Sequence, residues 1–183
     1  WPTVRKCPKV KITASSANPY LKVINNDIYS KNGKVLYSVA STKATYKVRK
    51  SVKEIEDGAF YKNDSIKKIY LSDYVKEIGE EAFGDMQNLQ SIRFGKSIKE
   101  LDYAMFNKCK KLKTVKLPKN IQKIRGNFGG KKHCYLKKVY INATTLKKSN
   151  LKKLPKKCKI YVKNKRVKNQ VKAAGFKGKV VIQ

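Results

Sequence analysis

The sequence predicts a repeat solenoid, mostly β with short helical turns, opened by a β-hairpin and closed by a capping helix. Three observations predict it. The stretch VKEIGEEAFGDMQNLQSIRF, residues 75–94, recurs 23 residues earlier as VKEIEDGAFYKNDSIKKIYL and 23 residues later as IKELDYAMFNKCKKLKTVKL. Apolar residues keep register in six columns: Val52/Val75/Ile98, Ile55/Ile78/Leu101, Phe60/Phe83/Phe106, Ile66/Leu89/Leu112, Ile69/Ile92/Val115 and Leu71/Phe94/Leu117. Each copy also ends on apolar residues two apart, the mark of a strand with one buried face. A single copy is too short to bury that face alone, so neighbours must stack and share a core.

The elements follow in chain order. Residues 1–20 are expected to hold one short strand, Val10–Thr13, the tail of a rung whose beginning is missing, and then a polar loop. Alternating apolar residues flank Lys31-Asn32-Gly33, and Asn-Gly is a strong hairpin signal because both positions tolerate positive φ. The expectation is a hairpin joining Asp27–Ser30 to Lys34–Ser38, followed by a strand at Thr45–Val48. Each repeat then carries a short V-K-E-I strand, a tight turn such as Gly79–Phe83 (a single helical turn with the aromatic inward), and a second strand. Stacked at roughly 4.8 Å, the rungs should pair the second strands into a parallel sheet and align the apolar columns as one continuous core. A fourth repeat keeps Ile121 and Ile124 in register but gains one residue within GNFGGKKHCY before Leu136, Val139 and Ile141. A fifth, degraded rung runs to Ile160-Tyr161-Val162. Asn164 is placed to cap a helix over Lys165–Ala174, stopped by Gly175, before a last strand Val180–Ile182. The organisation read is therefore 1–47 (partial repeat and hairpin), 48–162 (repeats) and 163–183 (cap), all one continuous domain.

Composition narrows the function classes. The 183 residues are 40% apolar, enough for one buried core, and no apolar run approaches membrane-spanning length. The chain begins at Trp1 with no signal-peptide pattern and is read as a piece of a longer or processed protein. Net charge is +33, and all 12 acidic residues lie between Asp27 and Asp102. Residues 103–183 therefore carry +26 and residues 1–102 only +7. That asymmetry marks contact with something anionic, set against the plainer reading of a lysine-rich solubilising surface. Cys7, Cys109, Cys134 and Cys158 lack metal-site spacing. A free buried thiol is the expected state of Cys109; Cys109 and Cys134 fall on adjacent rungs, so a disulfide stays open as the alternative.

Catalytic chemistry is poorly provided for. His133 is the only histidine, beside Cys134 but with no acidic residue nearby in the chain to orient it. Glu80-Glu81 reads as solvated charge on a turn, and no phosphate-binding glycine motif or EF-hand pattern is present. No catalytic residue, metal ligand or cofactor is expected.

The pattern V-x-x-I-x-x-x-A-F-x-x-C-x-x-L-x-x-I-x-L-P resembles the BspA-type, or treponemal-type, leucine-rich repeat of bacterial surface proteins. Val75, Ile78, Ala82, Phe83, Leu89, Ile92 and Phe94 match it, and Cys109, Leu112, Val115, Leu117 and Pro118 supply its Cys and closing Leu-Pro. The hairpin IYSKNGKVLY and the ending 159–183 resemble segments found with such repeats. Ser72 and Gly95 depart from the closing Pro. The resemblance implies a right-handed β/α superhelix with a concave strand face. It also implies a secreted or wall-attached protein, outside the cell or on its surface, used for adhesion to host matrix or other cells.

On that concave face the outward residues form a ladder, Tyr70, Arg93, Lys116, Tyr140 and Tyr161, flanked by Lys68, Ser91, Thr114, Lys138 and Lys159. Tyr and Arg combine contact area with hydrogen bonding, and stacked tyrosines suit sugar rings. Tyr is equally a good strand residue and Lys a good exposed one, so the stripe has a purely structural reading too. Cations about 5 Å apart on neighbouring rungs repel by about 1 kcal/mol, which an anionic partner relieves. Lys53-Glu54, Lys76-Glu77 and Lys99-Glu100 are expected to alternate in sign across their own ladder and compensate themselves. Two functions result. One is adhesion to a host matrix or cell-surface protein or glycan through the Tyr/Arg/Lys face. The other is electrostatic capture of a glycosaminoglycan or wall polymer by the basic C-terminal half, with nucleic acid the weakest member because no recognition motif for it is present. A structural spacer is the third reading.

Overall fold

A computed structural model describes residues 11–126, 128–129, 133–152 and 154–183. Cys7 and Val10 lie outside them, and Lys11-Ile12-Thr13 form no strand. The described chain opens instead on a strand that the alternation did not reveal. β1 (Leu21–Ile24) pairs antiparallel with β2 (Asp27–Ser30) across Asn25-Asn26. Both asparagines have positive φ, 51° and 70°, the two-residue turn whose twist suits a hairpin.

The Asn-Gly hairpin forms between β2 and β3 (Val35–Ser38), but with a different turn from the one expected. Only Gly33 has positive φ, at 71°. The Gly33 N–H donates to the Ser30 carbonyl at 2.8 Å, and the Asn32 side-chain oxygen accepts from the Lys34 N–H at 2.9 Å. The Asn side chain thus turns its own backbone, so Asn32 need not be left-handed.

From there the chain winds in rungs, each contributing to two flanks. One flank starts with β3, to which β5 (Glu54–Ile55) and β7 (Glu77–Ile78) add in parallel. β9 (Glu100–Leu101) and β11 (Lys123–Ile124) form a separate parallel pair. On the other flank β4 (Thr45–Lys47), β6 (Lys68–Tyr70) and β8 (Ser91–Arg93) make one parallel sheet. β10 (Thr114–Leu117), β12 (Lys138–Ile141), β13 (Lys159–Val162) and β14 (Val180–Ile182) make another. The helix α1 (Lys165–Ala173) buries Val167 and Val171, is capped by Asn164 accepting the Val167 N–H at 2.8 Å, and ends at Gly175 with φ 87°.

The second strands pair in parallel as expected but as two sheets, and both flanks divide between the same two repeats, while the core runs on through the division. The turn side bridges the gap: the Glu81 N–H donates to the Tyr103 carbonyl at 3.1 Å and the Asp85 N–H to the Asn107 carbonyl at 2.7 Å. The division falls where Phe94 stands in a column held by Leu71 and Leu117 in the flanking repeats, its ring packed edge-on against Phe106 of the next repeat at 6.4 Å. Just beyond it, Gly95 lets two rungs touch backbone to backbone. A Cβ there would overlap the Ser72 carbonyl and come within 2.8 Å of the Asp73 Cα. Gly95→Ala is expected to lower stability by about 1–3 kcal/mol through that overlap. Thermal unfolding measures it, and an unchanged midpoint would mean the rungs can part freely at this point.

All six apolar columns are buried, with Phe60, Phe83 and Phe106 no more than 1% exposed. The rings run as a column through the core: Tyr46–Phe60 and Phe60–Phe83 at 5.2 Å, Phe83–Phe106 at 5.9 Å, Phe106–Phe128 at 6.0 Å. The turn carrying each aromatic is a succession of i→i+3 turns. Ala82 N–H bonds the Gly79 carbonyl at 3.4 Å and Gly84 N–H the Glu81 carbonyl at 2.7 Å. Gly58, Glu81 and Ala104 share one left-handed column, and Lys62, Asp85 and Lys108 another.

One charged group is buried among the described residues. Asp27, 3% exposed, accepts the Ala40 and Ser41 N–H groups at 3.0 and 3.1 Å and the Tyr46 hydroxyl at 2.6 Å. The Tyr29 and Tyr46 hydroxyls are 3.1 Å apart, so Tyr29 donates to Tyr46 and the network is closed. It pins the hairpin to the first rung.

Candidate functional site

The two-residue alternation puts the outward residues of β6, β8, β10, β12 and β13 on one face, because their neighbours Ile69, Ile92, Val115, Val139 and Ile160 are buried. Tyr70 stands beside Arg93, and Lys68 beside Ser91. Lys116 stands beside Tyr140 and Thr114 beside Lys138; Tyr140 and Lys138 in turn meet Tyr161 and Lys159. All ten sequence-derived positions share the face, but as two blocks, since no strand pairing links Arg93 to Lys116 among the described residues. Tyr70 is 38% exposed, Lys68, Ser91, Arg93, Lys116, Lys138 and Lys159 are exposed, and Thr114, Tyr140 and Tyr161 are half-buried.

The aromatic chemistry differs from a set of open platforms. Tyr140 and Tyr161 stack at 4.7 Å with 12° between planes, and the Lys116 Nζ sits 5.6 Å from the Tyr140 ring centroid. The rings cover one another along the solenoid axis, so the pair offers edges and phenolic oxygens to a ligand while lysines flank it. Hydrogen bonds and charge are therefore available here more than ring-face stacking on a sugar. Two residues belong to the face that the sequence reading left out. Thr45 and Lys47 of β4 register with Lys68 and Tyr70. The strand itself was expected, and applying the same alternation to it would have found them.

The other flank compensates its charge only at its far end. In-line pairing sets Glu54 directly beside Glu77, so like charges stack where alternating signs were expected. Repeats in strict register place identical residue types side by side. Burial first, and then Glu56, Glu77 and Asp57, hold the Glu54 carboxyl above the ordinary range. Lys123 stands beside Glu100, and the Arg125 guanidinium binds the Glu100 carboxylate at 2.6 Å.

The remaining polar candidates are three cysteines and His133. Cys109, Cys134 and Cys158 are free thiols, as expected for Cys109. Burial pushes them up to about 12, 11 and 12 respectively, far from the activated thiolate that nucleophilic chemistry needs. The Cys109 Sγ donates to the Phe83 carbonyl at 3.0 Å, a rung-to-rung bond. His133 is exposed. Among the described residues no cluster of His, Cys, Asp and Glu could hold a metal ion, and no helix is long and apolar enough to cross a membrane.

Comparison with known proteins agrees with this architecture. No curated protein matches the chain. The structure of the pneumococcal vaccine antigen PcpA superposes with a TM-score of 0.69 at 20% identity, over 92% of this chain and 49% of that one. A leucine rich cell surface protein from Faecalibacterium prausnitzii gives 0.64 at 22% identity, over 98% and 43%. A leucine-rich repeat protein from Eubacterium ventriosum gives 0.57 at 21%, over 92% and 41%. The chain thus spans about half the length of these structures, or less, and shares their fold. The sequence pattern described as the BspA type leucine rich repeat region matches residues 20–158 in 6 copies, and on that match the chain belongs to the BspA-type leucine-rich repeat family.

Proposed function

We propose that the chain is a non-enzymatic adhesion module, displayed at or outside a bacterial cell surface, whose concave sheet face contacts a host matrix or cell-surface ligand. The observation that carries it is the outward ladder Lys47–Tyr70–Arg93 and Lys116–Tyr140–Tyr161, which gathers Tyr, Arg and Lys on one accessible face. The family, and the cell-surface description of the Faecalibacterium prausnitzii relative, support the location. In this reading the hairpin of β1 to β3 closes the first rung, the rungs from β4 to β13 carry the contact face and 163–183 cover the open end.

A second reading has its own observation. Lys138 and Lys159 lie side by side in a segment that carries no acidic residue after Asp102, so the C-terminal half attracts polyanions without a specific face. Binding of a heparin-like polyanion, and of immobilised matrix proteins, separates the two when the protein is compared with a variant carrying Ser at Tyr70, Arg93, Lys116 and Tyr140. Contact through the face predicts at least tenfold weaker binding by the variant, with modest salt dependence, at about 150 mM salt where the Debye length is about 8 Å. Equal binding by both proteins, falling steeply between about 50 and 200 mM salt, would give the function to diffuse attraction by the C-terminal half. Thermal unfolding of the variant guards against misreading a folding defect. No binding to either class of ligand would leave the chain as a spacer.

A further inference from the structure

The outward strand face ends in a pocket at the N-terminal side of the solenoid. Its volume is about 510 Å³, and it lies between the Asn25-Asn26 turn, the segment 40–43 and strand β4. Thr45 and Lys47 line it while also being the first members of the concave ladder, so pocket and face are continuous.

We propose that this pocket is a binding subsite for an anionic sugar unit, a hexose-sized polyol carrying carboxylate or sulfate. The inference rests on the concave-face reading and names the ligand chemistry of its N-terminal end. The electrostatics carry it. Lys43, Lys47 and Arg49 converge on the pocket, and the only carboxylate in its wall is Asp27. Asp27 is already committed to two backbone N–H groups and the Tyr46 hydroxyl. Every acidic side chain of the protein is among the described residues, and none lies within ion-pairing distance of the three cations. Like charges gathered on one pocket wall repel, with the Asp27 carboxylate acting on Lys43 as the opposing charge in that wall, and a bound anion lowers the remaining cost.

Size and lining select the rest of the ligand. A volume of 510 Å³ falls in the usual range for small-molecule sites and holds one or two sugar rings, not a folded partner. Thr42, Thr45 and Asn25 supply short hydrogen-bonding groups suited to hydroxyls, and Tyr29 and Tyr46 supply a wall held rigid by their linked hydroxyls. A polyol that places its charge among the cations therefore also finds partners for its hydroxyls. A longer glycan seated here leaves the pocket past Lys47 and runs onto Tyr70 and Arg93.

The test uses a heparin-derived disaccharide, a neutral disaccharide of the same size, inorganic sulfate and a long heparin chain. They are titrated against the protein, Lys43→Ala/Arg49→Ala, and the four-serine ladder variant by calorimetry, with amide NMR shifts at Thr42 and Thr45. Lys43 and Arg49 are exposed, and thermal unfolding confirms that their variant folds. The expected result is that the acidic disaccharide binds and shifts both amides and the neutral one does not. Affinity then falls at least tenfold in Lys43→Ala/Arg49→Ala and is kept in the ladder variant. Equal binding by the pocket variant, or no binding of the acidic disaccharide, overturns the proposal; inorganic sulfate binding as well as the disaccharide reduces the site to a bare anion trap and overturns the sugar assignment. Long heparin isolates the parent reading: if the ladder variant binds it like wild type while the disaccharide still fills the pocket, the concave face fails and the pocket stands.

Discussion

Phe83→Ala is expected to destabilise the protein by about 3–5 kcal/mol, the cost of an aromatic cavity in a closed core. Phe83 is fully buried between Phe60 at 5.2 Å and Phe106 at 5.9 Å. Its position makes the effect more than a local cavity. Both strand ladders stop between its repeat and the next, so the aromatic column and the turn-side hydrogen bonds carry the coupling across that junction. In a solenoid, stability is close to a sum of repeat and interface terms, and weakening one interface lets the two sides unfold separately. Urea unfolding of Phe83→Ala should therefore broaden or split into two phases. Phe60→Ala, made where strand pairing continues on both flanks, should lose similar stability in a single transition. A loss below about 1 kcal/mol for Phe83→Ala, or equal cooperativity in both variants, would show that the junction is held by something other than the aromatic column.

The junction illustrates what the sequence could and could not reveal. The buried columns, the Asn-Gly hairpin and the Asn164-capped helix were legible because each rests on local chemistry repeated at fixed spacing. The ladder break was not. It accompanies a phenylalanine, Phe94, between Leu71 and Leu117 of the flanking repeats, and its packing against Phe106 depends on the geometry of two rungs at once. Phe128 escaped for a simpler reason: it follows Phe106 by 22 residues, one short of the period, although it completes the aromatic column. β1 escaped because Leu21–Ile24 is half-buried throughout and lacks a clean alternation. Left-handed Glu81, Asp85, Ala104 and Lys108 carry no glycine to announce them. For the candidate site, membership of the face followed directly from alternation. What the rings present to a ligand did not, because the Tyr140–Tyr161 stack turns faces inward along the axis. The opposite flank went wrong through register. A period kept to the residue stacks Glu54 on Glu77, and alternation of sign would have needed a stagger.

Asp27→Ala should cost about 2–4 kcal/mol, because a buried donor left without an acceptor costs about 1–3 kcal/mol and a part-buried one, which water can reach, costs less. Three donors lose theirs: the Ala40 and Ser41 N–H groups and the Tyr46 hydroxyl. Asp27→Asn should cost far less, since the amide oxygen still accepts the two N–H groups and the hydroxyl network can reverse. The pair also carries a pH signature. Burial, opposed by the Tyr46 hydrogen bond and the two N–H groups, holds the Asp27 carboxyl above its ordinary range in the folded protein. A folded-state pKa above the unfolded one makes protonation favour folding. This linked stabilisation is fully present below the unfolded value and is lost as pH rises through the folded value. The stability difference between the wild type and Asp27→Asn should therefore shift toward the wild type on acidification through that window and level off on either side. Chemical unfolding of both proteins across the acid range measures it. A difference that moves the other way would mean that the N–H and hydroxyl donors, not desolvation, dominate the carboxylate.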